Sequence, residues 1–314
     1  FARAAEAVQQ GFLAAASKQP GVTVRVYGSS DDTRDIISLY RQALANGAVA
    51  VAGPLTRNGV SIMAGYPDIA VPTLALNTTE TKSASDKLFF YGLTAETEAR
   101  QVAQLAIKAK YRDATIISSG KPLSKRLAAA FADEWKNLGG VITAEVQYND
   151  NPATLAELPV APWPPGVEPP PVMVLSPEGE LVPPKRPLPP PVAPSNIAFL
   201  ATDSEQARQI RPYLNPSLPI YATSQLFNGN HDTLTNYDLN DIRFVDMPWL
   251  LQPDTPVVAR YPHANPPLAA DMERLYALGI DAHRLVQVLL QRTQATALPL
   301  DGVTGRIRLK DAST

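Results

Sequence analysis

The segment that most constrains the fold is 49–58, a short apolar run that breaks at Gly53-Pro54. Its small and β-branched residues are typical of a buried parallel strand, and Thr56 or Asn58 can cap a following helix. A strand that ends in a tight turn before a helix places backbone N–H groups at the carboxyl edge of a sheet. Open α/β sheets hold ligands at that edge, so the segment predicts one wall of a ligand crevice.

Predicted helices and strands alternate along the rest of the chain. Helices are predicted over 2–17, 29–46, 58–64, 95–110, 124–138, 268–278 and 281–294, with another capped by Asp203. Strands are predicted over 22–27, 72–76, 88–91, 114–118, 141–148, 197–201, 220–222 and 242–246, with a strand or hairpin over 302–309. This alternation indicates doubly wound, mainly parallel α/β sheets. Because the first element is a helix, we expect the first strand of lobe one to be missing.

One segment interrupts the alternation, since 16 of the 31 prolines lie within residues 152–194. Proline at this density favours an extended, largely polyproline II chain. Within it, 172–175 and 180–182 flank a Ser-Pro-Glu-Gly turn and are predicted to form a small hairpin. A partner-docking arm and a loop without function both remain open for this insertion.

Length, charge and cysteine content exclude several classes of function. A chain of 314 residues is long enough for two domains. The net charge of −2 gives no electrostatic case for nucleic acid or an anionic membrane surface, and no apolar run approaches the roughly 20 residues that span a bilayer. With no cysteine, disulfides and thiolate metal sites are excluded.

The sequence offers no recognisable catalytic set. His231, His263 and His283 are far apart and show no zinc-site spacing, and no phosphate loop, dinucleotide fingerprint or nucleophile elbow occurs. No pair of carboxylates identifies a general acid and base. We therefore expect no catalytic residue, no metal and no cofactor, and we predict that the chain is not an enzyme.

Small polar residues follow the predicted strands instead. They are Leu55-Thr56, Asn77-Thr78-Thr79, Ser118-Ser119-Gly120, Thr202-Asp203 and Ser224-Gln225, each group containing a hydroxyl or amide. Short polar side chains beside helix N-termini suit a small carboxylate or zwitterionic ligand. Each is also an ordinary helix cap, so the ligand hypothesis depends on their convergence.

The chain resembles the LppC-type lipoproteins, the penicillin-binding-protein activators. Matching stretches include Ala52-Gly53-Pro54-Leu55, Phe131-Ala132-Asp133-Glu134-Trp135, Tyr221-Ala222-Thr223-Ser224-Gln225 and Leu300-Asp301-Gly302-Val303-Thr304-Gly305. The most specific is Arg243-Phe244-Val245-Asp246-Met247-Pro248-Trp249-Leu250-Leu251. The resemblance covers nearly the whole chain outside the proline-rich insertion.

This resemblance implies a bilobed fold like that of type I periplasmic-binding proteins, with three crossovers that we place near Leu93, Trp249 and Pro299. Lobe one is then 1–93 plus 250–298, and lobe two is 94–249 plus 299–314. The predicted residues of the interlobe crevice are Leu55, Thr56, Asn77, Thr78, Tyr91, Leu93, Ser119, Asp203, Ser224, Gln225, Asp246 and Trp249.

The resemblance also implies a function. It predicts a periplasmic, outer-membrane-anchored lipoprotein that activates a class A penicillin-binding protein in peptidoglycan synthesis, with the lipidated cysteine preceding this chain. The alternative is a periplasmic receptor for an amino acid or a peptidoglycan fragment. In amino-acid receptors of this fold, the segments matching Thr56 and residues 76–78 hold the carboxylate and ammonium groups of the ligand.

Overall fold

The computed structural model describes residues 2–30, 33–151, 154–155, 174–175, 181–182, 196–215, 217–229, 235–291 and 300–307. The chain divides into two compact units, one of Phe1–Leu93 with Met247–Thr314 and the other of Thr94–Asp246. The division at Leu93 lies where we predicted a crossover. Among the described residues, no helix is both long and apolar enough to cross a membrane.

The elements follow one another in the alternation expected from the sequence. In chain order they are α1 (Ala2–Ala16), α2 (Thr33–Ala45), β1 (Val51–Ala52), α3 (Arg57–Ala64), β2 (Thr73–Ala75), β3 (Leu88–Phe90), α4 (Ala95–Lys108), β4 (Asp113–Ser119), α5 (Pro122–Asn137), β5 (Val141–Tyr148), β6 (Val174–Leu175), β7 (Leu181–Val182), β8 (Asn196–Ala201), α6 (Ser204–Ile210), β9 (Ile220–Ala222), β10 (Ile242–Phe244), α7 (Pro248–Leu251), α8 (Pro256–Ala259), α9 (Ala270–Gln291), β11 (Leu300–Gly302) and β12 (Gly305–Ile307).

The first unit is built on a parallel sheet in the order β1-β2-β3. Alternate residues of β2 face opposite layers, as the two-residue period of a strand requires. Leu74 packs with α1 and α9 on one face, while Ala75 packs with α2 and α3 on the other. Burial on both faces explains why these strands read as continuous apolar runs.

The longest helix, α9, corrects the prediction of two helices over 268–278 and 281–294. The helix continues through Gly279 and Ile280, which lie between the two predicted helices. Gly279 lies where α9 packs against α1, and a Cβ there would overlap the carbonyl oxygen of Val8. Gly11 of α1 packs equally closely on the carbonyl of Tyr276. The two glycines therefore serve close helix packing.

The predicted strand over 22–27 is also wrong, because these residues adopt no regular secondary structure. A strand requires a neighbour for its backbone groups. Among the described residues β1 pairs with β2 alone, and none pairs with 22–27. The alternation of Val and polar residues matches the sequence pattern of a strand, but it does not supply a neighbouring strand for backbone hydrogen bonds.

The second unit contains a five-stranded parallel sheet in the order β10-β9-β8-β4-β5. One face packs on α4 and α5 through Phe131, Trp135 and Phe199, and the other packs on α6 through Leu200 and Ile210. The order of chain connections reverses between β4 and β8, which is the topological switch point of a doubly wound sheet.

Two antiparallel pairs of strands are separate from these sheets. Strands β6 and β7 pair antiparallel, so the hairpin predicted within the proline-rich segment is confirmed, although its turn lies outside the described residues. Strands β11 and β12 form the predicted C-terminal hairpin, whose turn we call the clasp (Gly302, Val303 and Thr304). Residues 308–309, also assigned to it, lie outside the described residues.

The clasp belongs to the first unit, whereas we had assigned 299–314 to lobe two. The backbone N–H of Val303 donates to Asp281 Oδ1 on α9 at 3.1 Å, and Ile307 lies in the core cluster of that helix. Residues 247–249, assigned to lobe two as well, also belong to the first unit, because Trp249 N donates to Val303 O at 2.9 Å.

Candidate functional site

The polar residues predicted in the first unit do gather at the carboxyl edge of its sheet. Leu55 and Thr56 follow β1, Asn77 and Thr78 follow β2, and Tyr91 follows β3. The Asn77 amide donates to the Leu55 carbonyl at 2.9 Å, which joins the first two groups. The parallel pairing of the three strands therefore places all five residues along one edge.

Most of the polar groups at this edge have partners within it. Thr56 caps α3, its hydroxyl accepting from Gly59 N at 3.0 Å. Asn77 Oδ1 accepts from Thr78 N at 2.9 Å, and the hydroxyls of Ser61 and Thr79 lie 2.7 Å apart. Thr78 remains exposed. The edge is thus held by its own hydrogen bonds, in the way expected of helix caps and turns.

Tyr91 belongs to a buried network rather than an open surface. Its hydroxyl lies 2.6 Å from Thr304 Oγ1, which in turn lies 2.8 Å from Asp281 Oδ2. An ionised carboxylate accepts only, so Thr304 donates to Asp281 and Tyr91 donates to Thr304. Burial, followed by the charge of Asp281, raises the pKa of the Tyr91 phenol well above its ordinary value. Tyr91 stays protonated and holds the clasp.

Two further predicted residues of this unit differ in exposure. Leu93 is 38% exposed at the end of the first segment. Trp249 is only 1% exposed, packs against Tyr276 and donates from Nε1 to Glu273 at 2.6 Å. Trp249 is therefore a core residue of the first unit, and its place in the predicted crevice stays a prediction.

The second unit places its predicted residues along a single carboxyl edge as well. Ser119 is the last residue of β4, Asp203 follows β8, Ser224 and Gln225 follow β9, and Asp246 follows β10. Ser119 and Ser224 are 1% exposed, so their side chains lie inside the edge. Gln225 and Asp246 are half-buried.

The switch point of this sheet is bridged twice. Ser124 of α5 donates to the Ala201 carbonyl at the end of β8 and accepts from Ser119 N at 2.6 Å. Lys121 Nζ, at the start of α5, donates to Asp203 Oδ2 at 2.7 Å. Lys121 was not among the site residues predicted from the sequence. A cation at a helix N-terminus interacts unfavourably with the helix dipole. The position of Lys121 at the start of α5 therefore indicates that an anion lies nearby.

Asp203 combines this ion pair with a helix cap. Its Oδ1 accepts from Gln206 N at 2.9 Å, which confirms the predicted cap of α6. Partial burial alone would raise the pKa of Asp203, but the hydrogen bonds from Gln206 and Lys121 outweigh it and lower that pKa. The side chain is 38% exposed, so solvent screens the pair and its contribution is small.

Buried polar atoms without a hydrogen-bond partner lie close to the same edge. Among the described residues, Thr202 Oγ1, Gln206 Oε1 and Thr223 Oγ1 are of this kind. The Gln206 amide donates weakly to Asp150 Oδ1 at 3.4 Å. Groups that are buried and unpaired suit a bound water or a polar ligand atom.

The histidines do not form a metal site in the part of the chain that the structure describes, and no group of three or more potential ligands occurs there. His283 is 3% exposed on α9 and packs edge-on against Phe12. His263 is exposed beside Glu273 at 3.6 Å, and His231 lies outside the described residues. The ligand crevice that we predicted between the carboxyl edges of the two sheets stays a prediction.

Comparisons with known proteins identify relatives along nearly the whole chain. A family model described as "LppC putative lipoprotein" matches residues 1–159 and 193–313, and the gap falls within the predicted insertion. A curated relative from Enterobacter sp. (strain 638), named penicillin-binding protein activator LpoA, is 24% identical over 313 residues, which are 95% of this chain and 43% of the relative. The chain thus spans less than half the length of that relative.

Two solved structures share the fold. One, from Chromobacterium violaceum and described as a "putative branched-chain amino acid ABC transporter", is 34% identical with a TM-score of 0.77, covering 98% of this chain and 90% of that one. The other, the LpoA C-domain from Haemophilus influenzae, is described as a regulator of PBP1A. It is 21% identical with a TM-score of 0.72, covering 97% and 87%. The predicted α/β class with mainly parallel sheets, like that of periplasmic-binding proteins, is confirmed.

Proposed function

Because this chain belongs to the LppC putative lipoprotein family, we propose that it is a regulatory domain that activates a class A penicillin-binding protein in peptidoglycan synthesis. The observation that carries the proposal is the match of 95% of the chain to a relative named as such an activator. The domain acts through protein contacts and catalyses no reaction itself. The relatives are named as activators or regulators, which agrees with that role.

The proposed location follows from the same family. A lipoprotein of this kind is anchored in the outer membrane by an N-terminal lipid and extends into the periplasm, where peptidoglycan is made.

The proposal is tested by reconstituting peptidoglycan synthesis from lipid II with the class A penicillin-binding protein of the same organism. We expect this chain, and the full-length protein containing it, to bind the synthase and to raise its rate of glycan polymerisation or cross-linking. Serum albumin at equal concentration serves as the control. Neither binding nor stimulation by the full-length protein would contradict the proposal.

A second candidate function is that of a small-molecule receptor for an amino acid or peptidoglycan fragment. It is favoured by the structure described as a branched-chain amino acid transporter, which is 34% identical to this chain. The unpartnered Thr202, Gln206 and Thr223 atoms offer polar groups that such a ligand can use.

Titration calorimetry with leucine, isoleucine, valine and purified muropeptides distinguishes the two functions. A receptor gives saturable heat with one of them, and the heat disappears in a Thr202→Val, Thr223→Val double variant that still folds. An absence of heat with every ligand rules out the receptor function for this set and leaves the activator function standing.

A further inference from the structure

Helices α4 and α5 of the second unit run parallel in a fixed register. Arg126 Nε donates to Glu96 Oε1 at 2.7 Å, and Gln104 Nε2 donates to Glu134 Oε1 at 2.7 Å. Both pairs join residues 30 positions apart. Two contacts with the same offset fix the helices side by side, so Lys108 and Leu138, each four residues further on, lie next to each other at the C-terminal ends.

The start of β5 reaches the same end of the unit. The backbone N–H of Val141 donates to Arg112 O at 2.7 Å, immediately before β4 and β5 begin to pair. The turns that precede these strands contain Lys110 and Gly139, both with positive φ, at 73° and 82°. Two helix-to-strand turns therefore lie beside one another.

Three large apolar side chains are exposed here. Leu105 is 49% exposed, Leu138 39% and Val141 57%, and they account for three of the ten such side chains found among the described residues. Monomeric proteins rarely leave apolar groups clustered at the surface unless something covers them. Their concentration at one end of one unit marks that end as a contact surface.

Three exposed lysines surround them. Lys108, Lys110 and Lys136 have no ion pair with any described residue. We call the set of Leu105, Lys108, Lys110, Lys136, Leu138 and Val141 the basic end. The adjacent Arg112 is engaged elsewhere, because its guanidinium donates to the carbonyls of Ile107 and Tyr111.

Arg112 and the three lysines carry four positive charges and the three nearby carboxylates carry three negative ones, so the basic end keeps an excess of positive charge. Glu134 accepts from Gln104, Asp113 is half-buried and has a partner of its own, and Asp133 is exposed one turn earlier on α5. The helix dipole accounts for lysines in the last turns of α4 and α5. It does not account for Lys110, which follows the helix, or for the three exposed apolar side chains.

We propose that the basic end is the surface on which an acidic, leucine-containing segment of a protein partner docks. Carboxylates of that segment pair with the lysines, which speeds association and sets orientation, while its apolar side chains cover Leu105, Leu138 and Val141. A membrane fits less well, because none of the six residues is the Trp or Tyr that marks interfacial contact. The identity of the partner as the penicillin-binding protein rests on the function proposed above.

The test compares two charge-reversed variants of the full chain. Lys108→Glu with Lys136→Glu alters the basic end, and Arg100→Glu with Lys125→Glu makes the same charge change earlier on the same helices. Both control positions are exposed. Affinity for the class A penicillin-binding protein is measured by surface plasmon resonance at low and high salt. We expect the first pair to weaken binding at least tenfold and to remove most of its salt dependence, with the control pair unchanged.

A probe peptide of alternating glutamate and leucine separates this inference from the proposed function. Amide shifts in the NMR spectrum of the wild type should map to residues 105–112 and 136–141. If the peptide binds there but the synthase does not bind at all, the proposed function fails and the docking chemistry stands. The inference is overturned if the two charge-reversed variants bind the synthase with equal affinity. It is also overturned if the Lys108→Glu, Lys136→Glu variant loses binding to phosphatidylglycerol vesicles but not to the synthase. Leu105→Ala with Leu138→Ala provides a charge-neutral variant, for which weaker peptide binding is expected.

Discussion

Glycine decides how closely α1 and α9 approach each other. Gly279 and Gly11 each contact the backbone carbonyl of the opposite helix. Alanine has a higher helix propensity than glycine by about 1 kcal/mol. Replacing an exposed glycine in α9 by alanine would therefore stabilise the helix. Here the added methyl group has no room, and packing outweighs propensity.

We predict that Gly279→Ala lowers the free energy of unfolding by about 2 kcal/mol or more, because the methyl group must push two backbones apart. Urea denaturation followed by circular dichroism measures the change. The matched control is Gly65→Ala at the end of α3, where φ is −79° and the nearest atoms to an added Cβ are 3.7 Å away. Similar losses at both positions would contradict the packing argument.

His283 makes the first unit sensitive to pH. Burial lowers the pKa of its imidazole, and Nε2 has no hydrogen-bond partner among the described residues. The unfolded chain therefore binds this proton more readily than the folded chain does. The stability that the neutral side chain supports is present above the unfolded pKa of about 6.5 and is lost as the pH falls below it.

We predict that the thermal midpoint of the wild type falls between pH 7 and pH 5, and that His283→Leu reduces the slope. Leucine keeps an apolar contact with Phe12 and cannot be protonated. Differential scanning calorimetry at several pH values measures this. An unchanged slope in His283→Leu would assign the pH response to other groups.

At the scale of elements, Asp281 holds the C-terminal hairpin to α9. Its Oδ1 accepts from Arg284 and Val303 N, and its Oδ2 accepts from Thr304 N and Oγ1. The side chain is 0% exposed, so these donors replace water completely. Gly302 is required beside it, because a Cβ there would overlap the carboxylate.

We predict that Asp281→Asn destabilises the chain by about 3 kcal/mol, since it leaves Arg284 without its counter-ion and points an amide at backbone donors. Hydrogen exchange should show loss of protection in β11 and β12 before other strands. Asp301→Asn, in the exposed part of the same hairpin, should cost less than about 0.5 kcal/mol. Equal protection of the hairpin in Asp281→Asn and wild type would contradict this role.

Sequence patterns predicted the elements better than the contacts between them. Apolar strands and capped helices are local features, so β4, α5, β5, β8 and β9 lie within two residues of their predicted bounds. The failures depend on distant residues. The strand predicted over 22–27 lacks a neighbour, and α9 continues through Gly279, where it packs closely against α1.

The candidate site shows the same division. Each predicted polar residue after a strand does lie at a carboxyl edge, because strand direction alone determines that. Its hydrogen-bond partners were not predictable, since Tyr91 and Thr304 are 213 positions apart and Lys121 and Asp203 are 82 apart. The burial of Trp249 was not predictable either, because it depends on α9, which follows it in the chain.

At the scale of the molecule, the two units differ in how the chain forms them. The second, Thr94–Asp246, is continuous and has cores on both faces of its sheet. We predict that residues 94–246 expressed alone unfold cooperatively in urea, whereas 1–93 alone does not, because α1 then lacks α9. Near-ultraviolet circular dichroism from Trp135 and the tyrosines reports native packing. If residues 94–246 alone lack a near-ultraviolet signal, the two cores of the second unit are not sufficient for native packing.

The discontinuity of the first unit has a consequence for biosynthesis. Gln19, just beyond α1, donates to Gln287 of α9, 268 positions later. The chain emerges from a ribosome or an export channel from its N-terminus onwards. The second unit can therefore complete its core while the apolar side of α1 is still exposed, because α9 has not yet emerged. The early segment is therefore the natural client for a holding chaperone, and release should coincide with the arrival of α9.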